Sequence, residues 1–237
     1  MSLAAQIVER GAVKLGLALP TSAGSAFETY YDLLERRGSN VNLTAIAGME
    51  DVARLHFLDS ISLLKIADFK DARVVDVGSG AGFPGVPLLI AEPTIDLTLL
   101  DATKKRVAFL SELNAALNLN AACICARAED AAHIQDMREQ YGIALSRAVA
   151  RLNILCELCL PFVRVDGIFL AMKSVDSAEE IAGADSAIEI LGAKLERSVD
   201  YTIPGTDISH KAVIIRKISP TPEKYPRRFA KIQNSPL

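Results

Sequence analysis

The chain has 237 residues, half of them apolar, and carries 26 Lys and Arg against 29 Asp and Glu for a net charge of −3. That length suits one ordinary domain with an extension, or two small ones, and is enough for a substantial core. The charge argues against indiscriminate nucleic-acid binding by the whole surface, and no apolar run approaches the roughly eighteen residues that would span a bilayer.

From Leu3 to Leu17 the apolar residues recur at helical spacing, although Glu9 and Arg10 interrupt them and no cleavage-like site follows. This is not a secretory pattern, and a cytoplasmic chain is expected. Pro20, Gly24 and Ser25 break the helix, and Phe27 to Leu34 resumes it until about Gly38. Asn40-Val-Asn-Leu-Thr44 reads as a loop, and the match of Asn42-Leu-Thr44 to a glycosylation sequon is a chance one in a cytosolic chain. Met49 to Ile66 is helical again, so residues 1–70 form a predicted helical cap. His56 lies in this last helix, where its ordinary pKa would suit a base. A helical histidine is more often packed or hydrogen-bonded, and that reading is favoured here.

From Arg73 the pattern changes to strands alternating with helices, which implies an α/β fold, a parallel sheet with helices on both faces. Strands are predicted over 74–77, 97–100, 122–125, 143–146, 167–172 and 212–217, with a weaker one over 195–202. Helices are predicted over 85–91, 104–117, 152–162 and 178–191. Residues 71–219 thus make the sheet domain, followed by a basic, proline-containing tail over 220–237.

The first of these strands stops at Asp76-Val-Gly-Ser-Gly-Ala-Gly-Phe-Pro-Gly85. Glycines at 78, 80 and 82 permit a tight turn and let a ligand lie against bare backbone. A dinucleotide fingerprint would place its third glycine where Phe83 stands, so that match fails. An acid two residues before G-x-G-x-G resembles instead the first motif of S-adenosylmethionine-dependent methyltransferases with a Rossmann-like sheet. Their cofactor has no pyrophosphate, but it has a cationic amino group that an acidic strand end attracts. Asp101 ends the next strand about twenty residues on, where a carboxylate can accept both ribose hydroxyls.

In open parallel sheets the ligand crevice lies outside the carboxyl ends of the strands. The third strand leads into Arg127-Ala128-Glu129, where an acid and a backbone amide could bracket an adenine. The fourth brings Arg147 to the crevice with Arg151 one turn later, and the fifth brings Lys173. Three bases near one crevice suggest an anionic substrate.

The cysteines stand at 123, 125, 156 and 159 in apolar surroundings, and small buried residues are expected rather than a zinc site or disulfides. From Lys211 onward there are seven Lys or Arg against one acid, Glu223. The prolines of the tail resist regular structure, leaving it either to lie along a phosphate backbone, with Arg227 and Arg228, or to be solvated and disordered.

Asn42-Leu-Thr44, His56-x-x-Asp59-Ser60, Asp76 to Pro87, Asp101-Ala-x-Lys-Lys-Arg-Val-x-Phe-Leu110, Ser146-Arg-Ala148 and Lys224-Tyr-Pro-Arg227 follow one another in this order. Together they resemble the glucose-inhibited division protein B family of bacterial small-subunit ribosomal RNA guanine-N7 methyltransferases. The resemblance implies a Rossmann-like class I methyltransferase fold with a mostly parallel seven-stranded sheet and an N-terminal helical extension. It implies S-adenosylmethionine as cofactor, touched by Gly78, Gly80, Phe83, Ala128, Glu129 and Arg147 with Asp101 at its ribose. The partner it implies is 16S rRNA or the small ribosomal subunit, with one guanine of the 530 loop as target; a monomer without metal is expected. Arg147, Arg151, Lys173, Arg227 and Arg228 are the candidate RNA contacts. Residues 229–237 depart from the family's usual tail. Guanine N7 carries no proton, so no catalytic acid or base is assigned. Rival readings are a methyltransferase for a small molecule or protein, a nicotinamide dehydrogenase, which Phe83 disfavours, and a non-enzymatic nucleotide-binding interaction protein.

Overall fold

The structure is a computed structural model that describes residues 2–41, 46, 48–147 and 149–237, with the backbone alone at 38–41. Asn42-Leu-Thr44 lies outside the described residues. Seven strands, β1 Arg73–Val77, β2 Asp96–Asp101, β3 Ala122–Cys125, β4 Tyr141–Arg147, β5 Val163–Ser174, β6 Ala193–Thr202 and β7 Ser209–Lys217, form one sheet in the order β3-β2-β1-β4-β5-β7-β6. All neighbours are parallel except those of β7, which is antiparallel to both β5 and β6. The expected mostly parallel sheet of seven strands is therefore the one observed. Its order reverses at β1, flanked by β2 and β4, which opens a crevice at the carboxyl ends of those strands.

Alternation along β1 explains why this sheet is buried on both faces. Val74 belongs to a core beneath the N-terminal helices, whereas Val75 and Val77 belong to a second core on the opposite face. The first core is built by α1 (Leu3–Lys14), α2 (Ala23–Val41), α5 (Gly85–Ala91) and α6 (Lys104–Ala116). Between α2 and β1, residues 49–65 run as α3 (Met49–Val52), a π-helical turn (Ala53–Leu58), α4 (Asp59–Ile61) and a 3-10 turn (Ser62–Lys65). The second core gathers α7 (Ala128–Ala131), α8 (Leu152–Cys159), α9 (Ala178–Ala182), α10 (Asp185–Ile190) and α11 (Phe229–Asn234).

Three expectations are corrected. Gly24 and Ser25 do not break the second helix, which starts at Ala23 and continues through Asn40 and Val41, residues read from the sequence as loop. Glycine there serves close helix contact, since a Cβ on Gly24 would stand 3.0 Å from Glu9 Oε1 on α1. Cys156 and Cys159 are buried, but Cys125 is exposed and Cys123 only partly covered, because β3 is an edge of the sheet. The tail is neither disordered nor free of regular structure. It ends in α11, with Ile232 and Tyr225 buried.

The tail is fastened by polar contacts that satisfy its proline-limited backbone. The guanidinium of Arg138 donates to the carbonyls of Thr221, Pro222 and Tyr225 at 2.9, 3.3 and 2.8 Å. The wholly buried Lys217 ammonium reaches Glu139 at 2.9 Å and Thr221 Oγ1 at 2.6 Å. Much of the basic excess after residue 210 is thereby neutralised, with Lys211 on Asp200, Arg216 on Glu196, Lys217 on Glu139 and Arg227 on Glu157. Among the described residues no helix is long and apolar enough to cross a membrane.

Candidate active site

The glycine turn after β1 is tied to the end of β2. Gly78 and Ser79 donate their N–H groups to the Leu100 carbonyl at 2.8 and 3.1 Å. Two glycines are required by their positive φ and by what lies against them. A Cβ on Gly82, at φ +100°, would stand 2.7 Å from the Tyr30 hydroxyl, which itself donates to the Ala81 carbonyl at 2.6 Å. A Cβ on Gly78, at φ +77°, would stand 2.7 Å from Val149, itself 44% exposed at the crevice. The first closeness lets α2 clamp the turn; the second lets Val149 pack directly on the Gly78 backbone.

Two acids hold this turn. Asp76 is wholly buried, and its Oδ2 accepts the Gly85 N–H at 2.9 Å while Oδ1 has no partner among the described residues. Burial pushes its pKa up to about 7 against the bond from Gly85 and the charge of Arg147. The unmatched oxygen favours a cation brought close to the turn. A raised carboxyl pKa means that the folded state holds the proton more tightly than the unfolded one, so this contribution is full below about pH 4 and lost as pH rises towards 7. Asp76→Asn, which has nothing to ionise, should gain stability relative to the wild type by on the order of a few kcal/mol between pH 4 and 8. Urea unfolding of both proteins across that range checks it, and parallel pH profiles would refute it. Asp101 is 4% exposed; its Oδ1 accepts the Thr103 N–H at 2.8 Å and its Oδ2 the Gly80 N–H at 3.1 Å, with Arg106 at 3.5 Å. Each oxygen keeps a lone pair for a ligand hydroxyl.

Beside the turn stands an aromatic and ionic wall. Phe83 is stacked with His56 at 4.4 Å and with Tyr30 at 5.3 Å between centroids, and the Arg147 guanidinium lies 4.9 Å from its ring. So enclosed, at 5% exposure, Phe83 has little surface left to offer a ligand. Arg147 also donates to the Leu55 carbonyl at 3.3 Å, to Asp59 Oδ2 at 3.3 Å and to His56 Nδ1 at 3.0 Å. Burial and that guanidinium lower the His56 pKa to about 3, so the imidazole is neutral at physiological pH. Asp59, 1% exposed in its side chain, takes the Tyr201 hydroxyl at 2.8 Å and His210 Nδ1 at 2.9 Å on its other oxygen. It thus bridges three elements of the fold, whereas Ser60 bonds only to nearby backbone, donating to the His56 carbonyl at 2.6 Å.

Arg147, Met172, Lys173, Ser174, His210 and Asp59 are among the residues lining a cavity of about 430 Å³ next to this wall. Its Lys173 ammonium is held by Glu180 at 2.6 Å and by the Ala150 carbonyl at 2.7 Å. Arg151 is exposed at the start of α8. Ala128 and Glu129 open α7, and Glu129 is 7% exposed. Arg228 is exposed on the tail, but Arg227 is not presented for a phosphate: it donates through Nε and Nη2 to the buried Glu157 at 2.8 and 2.6 Å. Tyr30, Tyr201 and His210 were not singled out by the sequence. Only strand register could have found the last two, since Tyr201 and Ser174 both stand opposite His210. Among the described residues no group of three or more His, Cys, Asp or Glu is arranged to hold a metal ion.

The family described as "GidB: rRNA small subunit methyltransferase G" matches residues 24–204. A ribosomal RNA small subunit methyltransferase G of Pelotomaculum thermopropionicum is 44% identical over 239 residues, covering 100% of each chain. That of Alkaliphilus oremlandii is 42% identical and covers 98% of each. Among solved structures, that of M. jannaschii TYW2 in complex with AdoMet aligns with 68% of this chain and 75% of its own, at a TM-score of 0.54 and 15% identity. That last likeness concerns the fold.

Proposed function

The chain belongs to the GidB family of ribosomal RNA small subunit methyltransferases, and we propose that it transfers the methyl group of S-adenosylmethionine to N7 of a guanine in the 530 loop of 16S rRNA. The observation that carries this reading is the junction of two features. A glycine turn held by Asp76 and Asp101 adjoins a cavity of about 430 Å³ lined by Arg147 and Lys173.

The turn fits an adenosyl sulfonium ligand. Backbone at Gly80, with no side chain near it, and at Gly78, which packs on Val149, receives its body, and Asp101 has lone pairs for two ribose hydroxyls. Ala128 and Glu129 bracket the adenine, Phe83 stiffens the wall, and the unmatched Oδ1 of Asp76 favours the ligand's positive charge. Bound there, the cofactor supplies an electrophilic methyl group. Its transfer to the N7 lone pair would leave the electron pair of the broken S–C bond on sulfur and the positive charge on the purine. No proton has to move, which suits a site whose His56 is too weak a base to take one. The protein's part is to orient the base and exclude water. Arg151 and Arg228 serve the phosphates around the target beside Arg147, while Lys173 is neutralised by Glu180 and Arg227 is withdrawn from that role by Glu157. The reaction takes place in the cytoplasm.

The test uses labelled S-adenosylmethionine and small subunits from cells lacking this gene. Nucleoside digestion should yield labelled 7-methylguanosine from one site. Cofactor binding without label in any ribosomal RNA would overturn the RNA assignment and leave the fold intact.

A further inference from the structure

His210 lines the same cavity as Arg147 and Lys173. Its Nδ1 lies 2.9 Å from Asp59 Oδ1, an oxygen that also receives the Tyr201 hydroxyl, while Arg147 holds the second oxygen. A carboxylate only accepts, so the imidazole hydrogen sits on Nδ1 and, in the neutral ring, Nε2 is an acceptor. The side chain is 32% exposed, so the ring is accessible, and the walls around it include Leu55, Met172 and Ile208. Apolar walls with a few fixed polar groups are how a planar ligand is oriented, and Nε2 is the acceptor His210 offers among them.

Resting on the reading that a guanine is the acceptor, we propose that His210, braced by Asp59, accepts the N1–H of the target guanine at Nε2. Of the two purines only guanine carries a hydrogen at N1, so the contact selects guanine over adenine. It also becomes stronger as the reaction proceeds. When N7 takes the methyl group the ring becomes cationic and its N1–H more acidic, so the bond to Nε2 tightens towards the transition state. The proton stays on N1, and no base is consumed.

The contact requires the neutral imidazole. The Asp59 bond raises the His210 pKa above its ordinary value, against burial and the charge of Arg147. The groups around the ring are Asp59 on α4, Tyr201 on β6, Arg147 on β4, Lys173 on β5, which Glu180 neutralises, and across the cavity His56, which its lowered pKa keeps neutral. Neighbouring Lys211 on β7 is paired with Asp200. Activity should therefore fall on the acid side with an apparent pKa above that of a free imidazole.

Wild type, His210→Phe and His210→Gln are compared on unmodified small subunits at saturating cofactor from pH 5.5 to 8.5. Calorimetry with S-adenosylhomocysteine runs in parallel, as does imidazole NMR of the wild type with guanosine monophosphate or its 1-methyl derivative. His210→Phe should lose about a hundredfold in kcat/KM, from one hydrogen bond strengthened in the transition state, and should lose the acid limb. His210→Gln, whose amide oxygen can accept, should stay within about tenfold of wild type and also lack the limb. Both should bind S-adenosylhomocysteine as the wild type does, and the His210 Nε2 resonance should move with guanosine monophosphate and not with the 1-methyl compound. Unchanged rates, an acid limb persisting in His210→Phe, or a matching loss of cofactor affinity would each overturn the proposal. Should the wild type methylate no guanine, the functional reading fails, and the NMR titration alone then decides the role of His210.

Discussion

Arg227→Met should destabilise the protein by about 3–5 kcal/mol, the cost of leaving a buried charge without its partner. For a chain of this size that is a fall in Tm of roughly 10 °C. Glu157 lies on α8 with its side chain 0% exposed, and Arg227 meets it three times, through the backbone N–H at 2.8 Å, Nε at 2.8 Å and Nη2 at 2.6 Å. Water cannot replace these donors at a wholly buried carboxylate. Removing both charges is a different matter, because burying an ion pair costs nearly what it returns. Glu157→Leu with Arg227→Met should accordingly recover most of the loss. Urea unfolding of the two variants checks this. A single variant within 1 kcal/mol of wild type would show that the tail is not held by this pair.

The second large effect falls on the cofactor. Asp101→Ala removes the acceptor of the Gly80 and Thr103 N–H groups and, on the proposed reading, the grip on two ribose hydroxyls. Hydrogen bonds to a charged group contribute about 1.5–3 kcal/mol each, so losing two from the ligand should weaken binding by about a hundredfold or more. Asp101→Asn, which keeps one oxygen acceptor and no charge, should fall between. Calorimetric titration with S-adenosylhomocysteine measures it. An alanine variant within about threefold of the wild-type affinity would remove Asp101 from the cofactor site.

Legibility in the sequence followed the distance over which a feature is encoded. The strands, the glycine turn and both acids are local patterns. Alternation along 73–77 and an acid before three spaced glycines can be read without knowing what lies opposite. The helix over 49–65 was legible as a helix, but its π turn was not, and that turn places His56 against Phe83 and Arg147. The tail was misjudged for a related reason. Its own segment shows an unpaired excess of charge, whereas its partners Glu157 and Glu139 lie 70 and 82 residues earlier.

By itself, then, the sequence determined the α/β class, the succession of elements and the turn that defines the cofactor side, because backbone conformation and hydrophobic periodicity are set by near neighbours. Only the tertiary structure decided what faces the acceptor. Arg147 meets Asp59 across 88 residues because β4 ends beside α4, and His210 meets it across 151 because β7 turns back antiparallel between β5 and β6. No local pattern carries that information. Side-chain charge and protonation at the site depend on which groups the sheet order brings within a few ångströms of one another, and that order is a property of the folded chain.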